Sequence, residues 1–138
     1  MYVVYFLLPN VTTIKDNAFY GATGLYSFVA DESLDYIDWN AFNSSDIKKV
    51  DLRTASSTLT VNVNAFTNCS NATIYLPDDF VLASPVAIGN HHFSSAGIYS
   101  GVSKVVYSGS SHTLADLQTL GGGTLPTFED ALGNTITE

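Results

Sequence analysis

The 138-residue chain has one cysteine, five basic residues and no long apolar run. A lone Cys69 excludes an intrachain disulfide framework and a thiolate zinc cage. Thirteen acidic residues against those five lysines and arginines give a formal charge of -8, which repels nucleic acid and anionic membrane surfaces. The acidic residues are dispersed, without a carboxylate tail. The apolar opening Tyr2 to Leu8 is too short to span a bilayer and has no basic residues ahead of it, so it reads as neither a span nor a secretory signal. Catalytic signatures are equally scarce. There is no Gly-x-Ser-x-Gly elbow, and Gly121 to Gly123 lacks the strand-to-helix setting and lysine of a phosphate loop. His91 and His92 are neighbours that face opposite ways on an extended segment, so they do not readily share a metal. No catalytic residue, metal site or cofactor is expected. An enzyme would require a pocket gathering His91, His92 and a carboxylate.

What the chain does have is a repeat. An apolar residue is followed five positions later by phenylalanine in Ile14-Lys-Asp-Asn-Ala18-Phe19, Ile37-Asp-Trp-Asn-Ala41-Phe42, Val61-Asn-Val-Asn-Ala65-Phe66 and Ile88-Gly-Asn-His-His92-Phe93. The phenylalanines are 23, 24 and 27 residues apart, a period at which a strand and a short turn stack on their own copies as a leucine-rich-repeat-like solenoid. Between these blocks run Val3-x-x-Phe6-x-Leu8, Leu25-x-x-Phe28-x-Ala30, Ile47-x-x-Val50-x-Leu52, Ile74-x-Leu76 and Val102-x-x-Val105-x-Tyr107. Their alternation predicts parallel strands near 3–8, 26–31, 48–53, 72–77 and 103–108, forming one curved sheet with short turns or helices on the convex side. Asn17, Asn40 and Asn64 share one slot and read as a turn device. Cys69, three residues after Phe66 as Ala22 is after Phe19, reads as a small core residue.

The pattern Ile14-x-x-x-Ala18-Phe19-x-x-Ala22-x-x-Leu25, with Leu-Pro at Leu8-Pro9 and Leu76-Pro77, resembles the BspA-type leucine-rich repeat of bacterial surface, protist and bacteriophage proteins. That resemblance covers about residues 2 to 109 and implies a non-enzymatic recognition or assembly module, extracellular, on a cell surface or in a virion. The fourth copy departs from it, with His92 in the alanine slot and a longer interval from Leu76 to Tyr107. Residues 1–109 therefore read as a solenoid of four to five repeats and 110–120 as a capping helix carrying Leu114, Leu117 and Leu120. Residues 121–138 read as a Gly-rich linker and a β-prone arm of the kind often ordered against another chain.

Counting outward positions along the strands puts Leu7, Val29, Asp51, Tyr75 and Val106 in one column, flanked by Tyr5, Lys49, Arg53, Thr73 and Lys104. Four of the five are apolar or aromatic where a solvated sheet carries polar groups, so the column is the expected contact surface. Trp39 is a further candidate anchor. The expected partner is a protein or glycan surface, bound multivalently. The alternative is an assembly role in a larger particle through the apolar first strand and the arm, as a homo-oligomer or with other subunits. Sequons at Asn10, Asn43, Asn68 and Asn71 matter only after eukaryotic secretion.

Overall fold

The computed structural model describes residues 4–7, 9–56, 58–62, 64–78, 81–82, 92–93, 101–119 and 125–137. Strands 4–7, 81–82 and 92–93, and Thr119, are described by their backbone. The chain winds as a parallel β-solenoid. Strands β1 (Val4–Leu7), β3 (Leu25–Val29), β5 (Lys49–Asp51), β7 (Thr73–Tyr75), β10 (Lys104–Val106) and β11 (Thr127–Glu129) form a six-stranded parallel sheet in that order. Of the first five, β1, β5, β7 and β10 fall inside the spans read from the alternation, and β3 begins one residue ahead of its span, at Leu25.

The expectation of one sheet is corrected by a second ladder on the return side. It contains β2 (Thr13–Ile14), β4 (Tyr36–Ile37), β6 (Thr60–Val61), β9 (His92–Phe93) and β8 (Val81–Leu82), in that order. Two-residue strands are too short to show period-two alternation, which is why the pattern hid them. Their register also corrects the fourth copy. Val61 pairs with Phe93, so Phe93 continues the row of Ile14, Ile37 and Val61 and does not extend the phenylalanine column. The long interval after Leu76 is used by two short strands, so the repeat spacing cannot carry through it.

The turn after each return strand accounts for its own amides. Ala18, Tyr20 and Ala22 donate to Lys15, Asn17 and Phe19 carbonyls three residues back, while the intervening Asn17, Phe19 and Gly21 donate to Trp39, Ala41 and Asn43 of the next repeat. The next layer repeats this, with Phe42 N–H to Ala65 O at 2.8 Å and Ser44 N–H to Thr67 O at 2.9 Å. Alternating the direction of successive amides requires left-handed backbone at every fourth residue. Asn17, Asn40 and Asn64 have φ of 58°, 57° and 61°, which asparagine tolerates best among residues with a Cβ. A second such row holds Gly21, Ser44 and Asn68, at 64°, 60° and 58°. It escapes sequence inspection because three different residue types fill it.

Between the two sheets lies one core. Phe42 and Phe66 are fully buried, and Phe19, Phe42 and Phe66 stack with centroids 5.1 and 5.3 Å apart and planes within 17° of parallel. Phe28 tilts onto Phe42 from the large sheet at 5.4 Å. Cys69 is buried, its thiol donating to the Phe42 carbonyl oxygen at 2.9 Å and lying 3.7 Å from Ser45 Oγ. Burial pushes that thiol's pKa up, the opposite of what a nucleophile needs.

Beyond β10, helix α1 (Leu114–Thr119) buries Leu117 against the last repeat. Its start is fixed by reciprocal bonds: Thr113 N–H donates to the Asp116 carboxylate at 2.9 Å, and Asp116 N–H to Thr113 Oγ1 at 3.3 Å. The C-terminal arm then returns to the same molecule. β11 pairs with β10 and places Phe128 beside Val105 in the core row. The chain next reverses through Asp130 to Asn134, and Ile136 N–H donates to Phe128 O at 2.8 Å across the outer edge of β11. That end of the sheet is therefore covered in cis.

Candidate recognition surface

The register of the large sheet lines up the residues that the spacing had grouped. One row runs Leu7, Val29, Asp51, Tyr75, Val106 and Glu129, and the row two residues earlier runs Tyr5, Ser27, Lys49, Thr73, Lys104 and Thr127. The row between them, Phe28, Val50, Ile74, Val105 and Phe128, points into the core. The side chains of Tyr5 and Leu7 lie outside the described residues.

Two members of the expected contact set are corrected by their burial. Asp51 and Val106 are each only 8% exposed, so neither offers a free surface. The cause is the reach of neighbouring side chains over a narrow sheet. Arg53 folds back on Asp51 in a bidentate pair, Nε to Oδ1 at 2.9 Å and Nη2 to Oδ2 at 2.6 Å, with its backbone N–H on Oδ1 at 3.1 Å. Burial alone would raise the Asp51 pKa, but these bonds and the charges of Arg53 and Lys49 outweigh it and hold the carboxyl below its ordinary value. Val106 shares the lining of a cleft with the turn from Asp130 to Gly133.

The accessible part of the surface centres on half-buried Tyr75. Arg53 Cζ lies 4.7 Å from its ring centroid and Lys49 Nζ 5.1 Å, and one strand over Lys48 Nζ lies 5.5 Å from the ring of Tyr26. Such contacts hold aromatic rings and cations in place while leaving the cations hydrated. Lys104 pairs with Glu129 at 3.2 Å. A cleft of about 290 Å³ opens beside Tyr75, floored by Thr73, Val106 and Lys104 and walled by Glu129 and the turn Asp130 to Gly133. Val29 borders this face from β3 and is half-buried. Trp39, 54% exposed, sits in the turn after β4, on the opposite side of the coil from this row. The structure does not bring it to the other candidates.

Glu129 and Leu132 join the site without having been singled out from the sequence. The signal for Glu129 was present: Thr127-Phe128-Glu129 alternates like the earlier strands. Among the described residues no three His, Cys, Asp or Glu side chains converge as a metal site, and no helix is long and apolar enough to cross a membrane.

Comparison with curated proteins and with solved structures found no match. Six copies of the BspA type leucine rich repeat region match residues 4–107, which is most of the chain, and the chain belongs to that family.

Proposed function

We propose that this protein is a non-enzymatic recognition module that engages a protein or glycan surface through the concave sheet around Tyr75, using several copies at once. Family membership supports an interaction scaffold, and the observation that carries the reading is the ring of Tyr75, held by two cations at the rim of an open cleft. An aromatic fixed in place with polar groups on both sides is a low-entropy contact point. Lys49, Arg53 and Val29 complete the contact surface on this reading.

Size argues for multivalency. Six strands about 4.8 Å apart and about 10 Å long present roughly 300 Å² of sheet, well under the ~800 Å² per partner of a stable interface. Linked copies make up the difference through effective concentration. An extracellular or virion setting, where many copies are displayed, suits that arrangement.

The test is a bead-displayed form screened on protein and glycan arrays beside Tyr75→Ser, Val29→Ser and Trp39→Ser variants. Binding should vanish with Tyr75→Ser and weaken with Val29→Ser, while Trp39→Ser behaves as the parent. Signals that follow Trp39 and ignore Tyr75 would place recognition on the convex side and sink the proposal.

A second reading, an assembly piece of a larger particle, is favoured by one observation. β1 is hydrogen-bonded to β3 alone among the described strands, and a strand with an open edge is a template for another chain. Since the arm is docked in cis, that reading rests on the first strand.

A further inference from the structure

The two ends of the large sheet are related. Backbone register runs one row through Phe6, Phe28, Val50, Ile74, Val105 and Phe128, so the row begins and ends on phenylalanine. β11 lies parallel to β10, as every strand of this sheet lies to the one before it. It closes that edge with backbone bonds, Tyr107 N–H to Glu129 O at 2.9 Å and Thr127 N–H to Ser103 O at 3.2 Å. In position, direction and register the arm is what the first strand of a following coil would be, and it carries Phe128 where β1 carries Phe6.

The early end is unfinished in a matching sense. Amide bonds between successive turns run from the earlier coil to the later: Asn17, Phe19 and Gly21 donate to Trp39, Ala41 and Asn43, and Phe42 and Ser44 to Ala65 and Thr67. The equivalent carbonyls of the first turn belong to Asp16, Ala18 and Tyr20, and among the described residues nothing donates to them. The side-chain slots are open too. Ala18 is exposed where Ala41 and Ala65 are fully buried, and Phe19 and Ala22 are only partly buried where Phe42, Phe66, Ser45 and Cys69 are buried. β1 and β2 end their two ladders on this same side. A lone strand would meet one ladder; the late side of a coil meets both, and its turn amides point the way these carbonyls need.

We infer that the C-terminal arm stands in, within one molecule, for the first strand of a second copy, and that copies released from their arms stack head to tail, the first coil of one on the β10 edge of the next. The occupant is a second copy because the seat on β10 already takes a phenylalanine-centred parallel strand in this register, and β1 is such a strand. This rests on the assembly reading of the open first strand and names its partner. A head-to-tail contact of this kind leaves a free end on each added copy, so growth continues, and a copy with its arm seated ends it.

Light scattering over a concentration series is run on the chain ending at Leu120 and on the full chain carrying Phe128→Ser, with circular dichroism to check that each is folded. Both should grow past the dimer as concentration rises, while the parent chain stays monomeric. Ala18→Glu sets a charge among the free carbonyls at an exposed position, and it should raise the concentration needed for growth at least ~10-fold in either background. Parent chain added in equal amount should shorten the polymers, and a peptide of residues 124–138 should do the same to the Leu120 form by filling its edge. Growth that stops at the dimer, indifference to Ala18→Glu, polymers unaffected by the parent chain, or monomers in both arm-deficient forms would each overturn the inference. Hydrogen exchange then separates it from the reading beneath it. Dimers that protect the β1 amides would discard head-to-tail stacking and keep assembly through the first strand; β1 amides that exchange at one rate in every form would discard both.

Discussion

Replacing Phe42 by alanine should be among the most damaging single changes this chain can suffer. Phe42 is fully buried and central: Phe19 stacks on one side at 5.1 Å, Phe66 on the other at 5.3 Å, and Phe28 meets it from the large sheet at 5.4 Å. Emptying such a site costs about 3–5 kcal/mol through lost transfer energy and an unfilled cavity. Against the ~5–15 kcal/mol of an ordinary domain, that removes about a fifth of the stability or more. The position adds a second effect. In a solenoid each repeat touches only its neighbours, so a void in the middle layer weakens the coupling between the coils on either side and should broaden the transition. The assay is urea unfolding followed by far-ultraviolet circular dichroism and by the fluorescence of Trp39, the single tryptophan, three residues away. Phe19→Ala is the internal comparison, because Phe19 is only partly buried; about 1–2 kcal/mol is expected. If Phe42→Ala costs under ~1 kcal/mol, or no more than Phe19→Ala, the stacked column is not what joins the repeats.

Three further changes test other parts of the architecture. Ser44 holds left-handed backbone at φ 60° in a row shared with Gly21, so Ser44→Gly should raise stability by up to ~1 kcal/mol in chemical denaturation; a loss would mean that the Ser44 hydroxyl bond to Asn43 at 2.8 Å outweighs the backbone strain. The lowered pKa of Asp51 means that its contribution is present above the ordinary carboxylate pKa of about 4 and is lost as pH falls through the lower folded value. Asp51→Asn should accordingly flatten the acid limb of stability against pH, and an unchanged limb would deny the Arg53 pair that role. Ending the chain at Leu120 removes buried Phe128 and bares the edge of β10, so it should cost about 2–3 kcal/mol. The shortened form should gain mass with concentration in light scattering, and a monodisperse truncation melting like the full chain would show the arm to be dispensable.

The large sheet was legible because apolar residues recur in the same slots of five segments, and in β3, β5, β7 and β10 those slots are buried. The asparagine row was legible for a different reason: one residue type meets one backbone demand three times. Where the demand is met by Gly21, Ser44 and Asn68 in turn, nothing repeats in the letters although the dihedrals agree within a few degrees. Phe93 shows the complementary failure. Its motif matched by composition, but hydrogen-bond register placed it opposite Val61, because the segment after Leu76 supplies two short strands where earlier repeats supply one.

The surface was harder to read than the fold for a physical reason. Alternation tells which way a side chain leaves the backbone, but not what then bends over it. Asp51 leaves the sheet outward and is still buried, since Arg53 two residues on is long enough to return and cover it. Val106 leaves outward and is 8% exposed, at a cleft that a turn from a different part of the chain also lines. What remains available is set by those second contacts, and they pull in one direction. With Asp51 and Val106 drawn down, the fold leaves Tyr75 with Lys49 over its ring, Arg53 and Lys104 each paired to a carboxylate, and Glu129, Asp130 and the exposed Leu132 along the cleft. An apolar stripe read from the sequence thus becomes, once folded, a charged aromatic platform with a single apolar knob, and that difference decides which partners are worth testing.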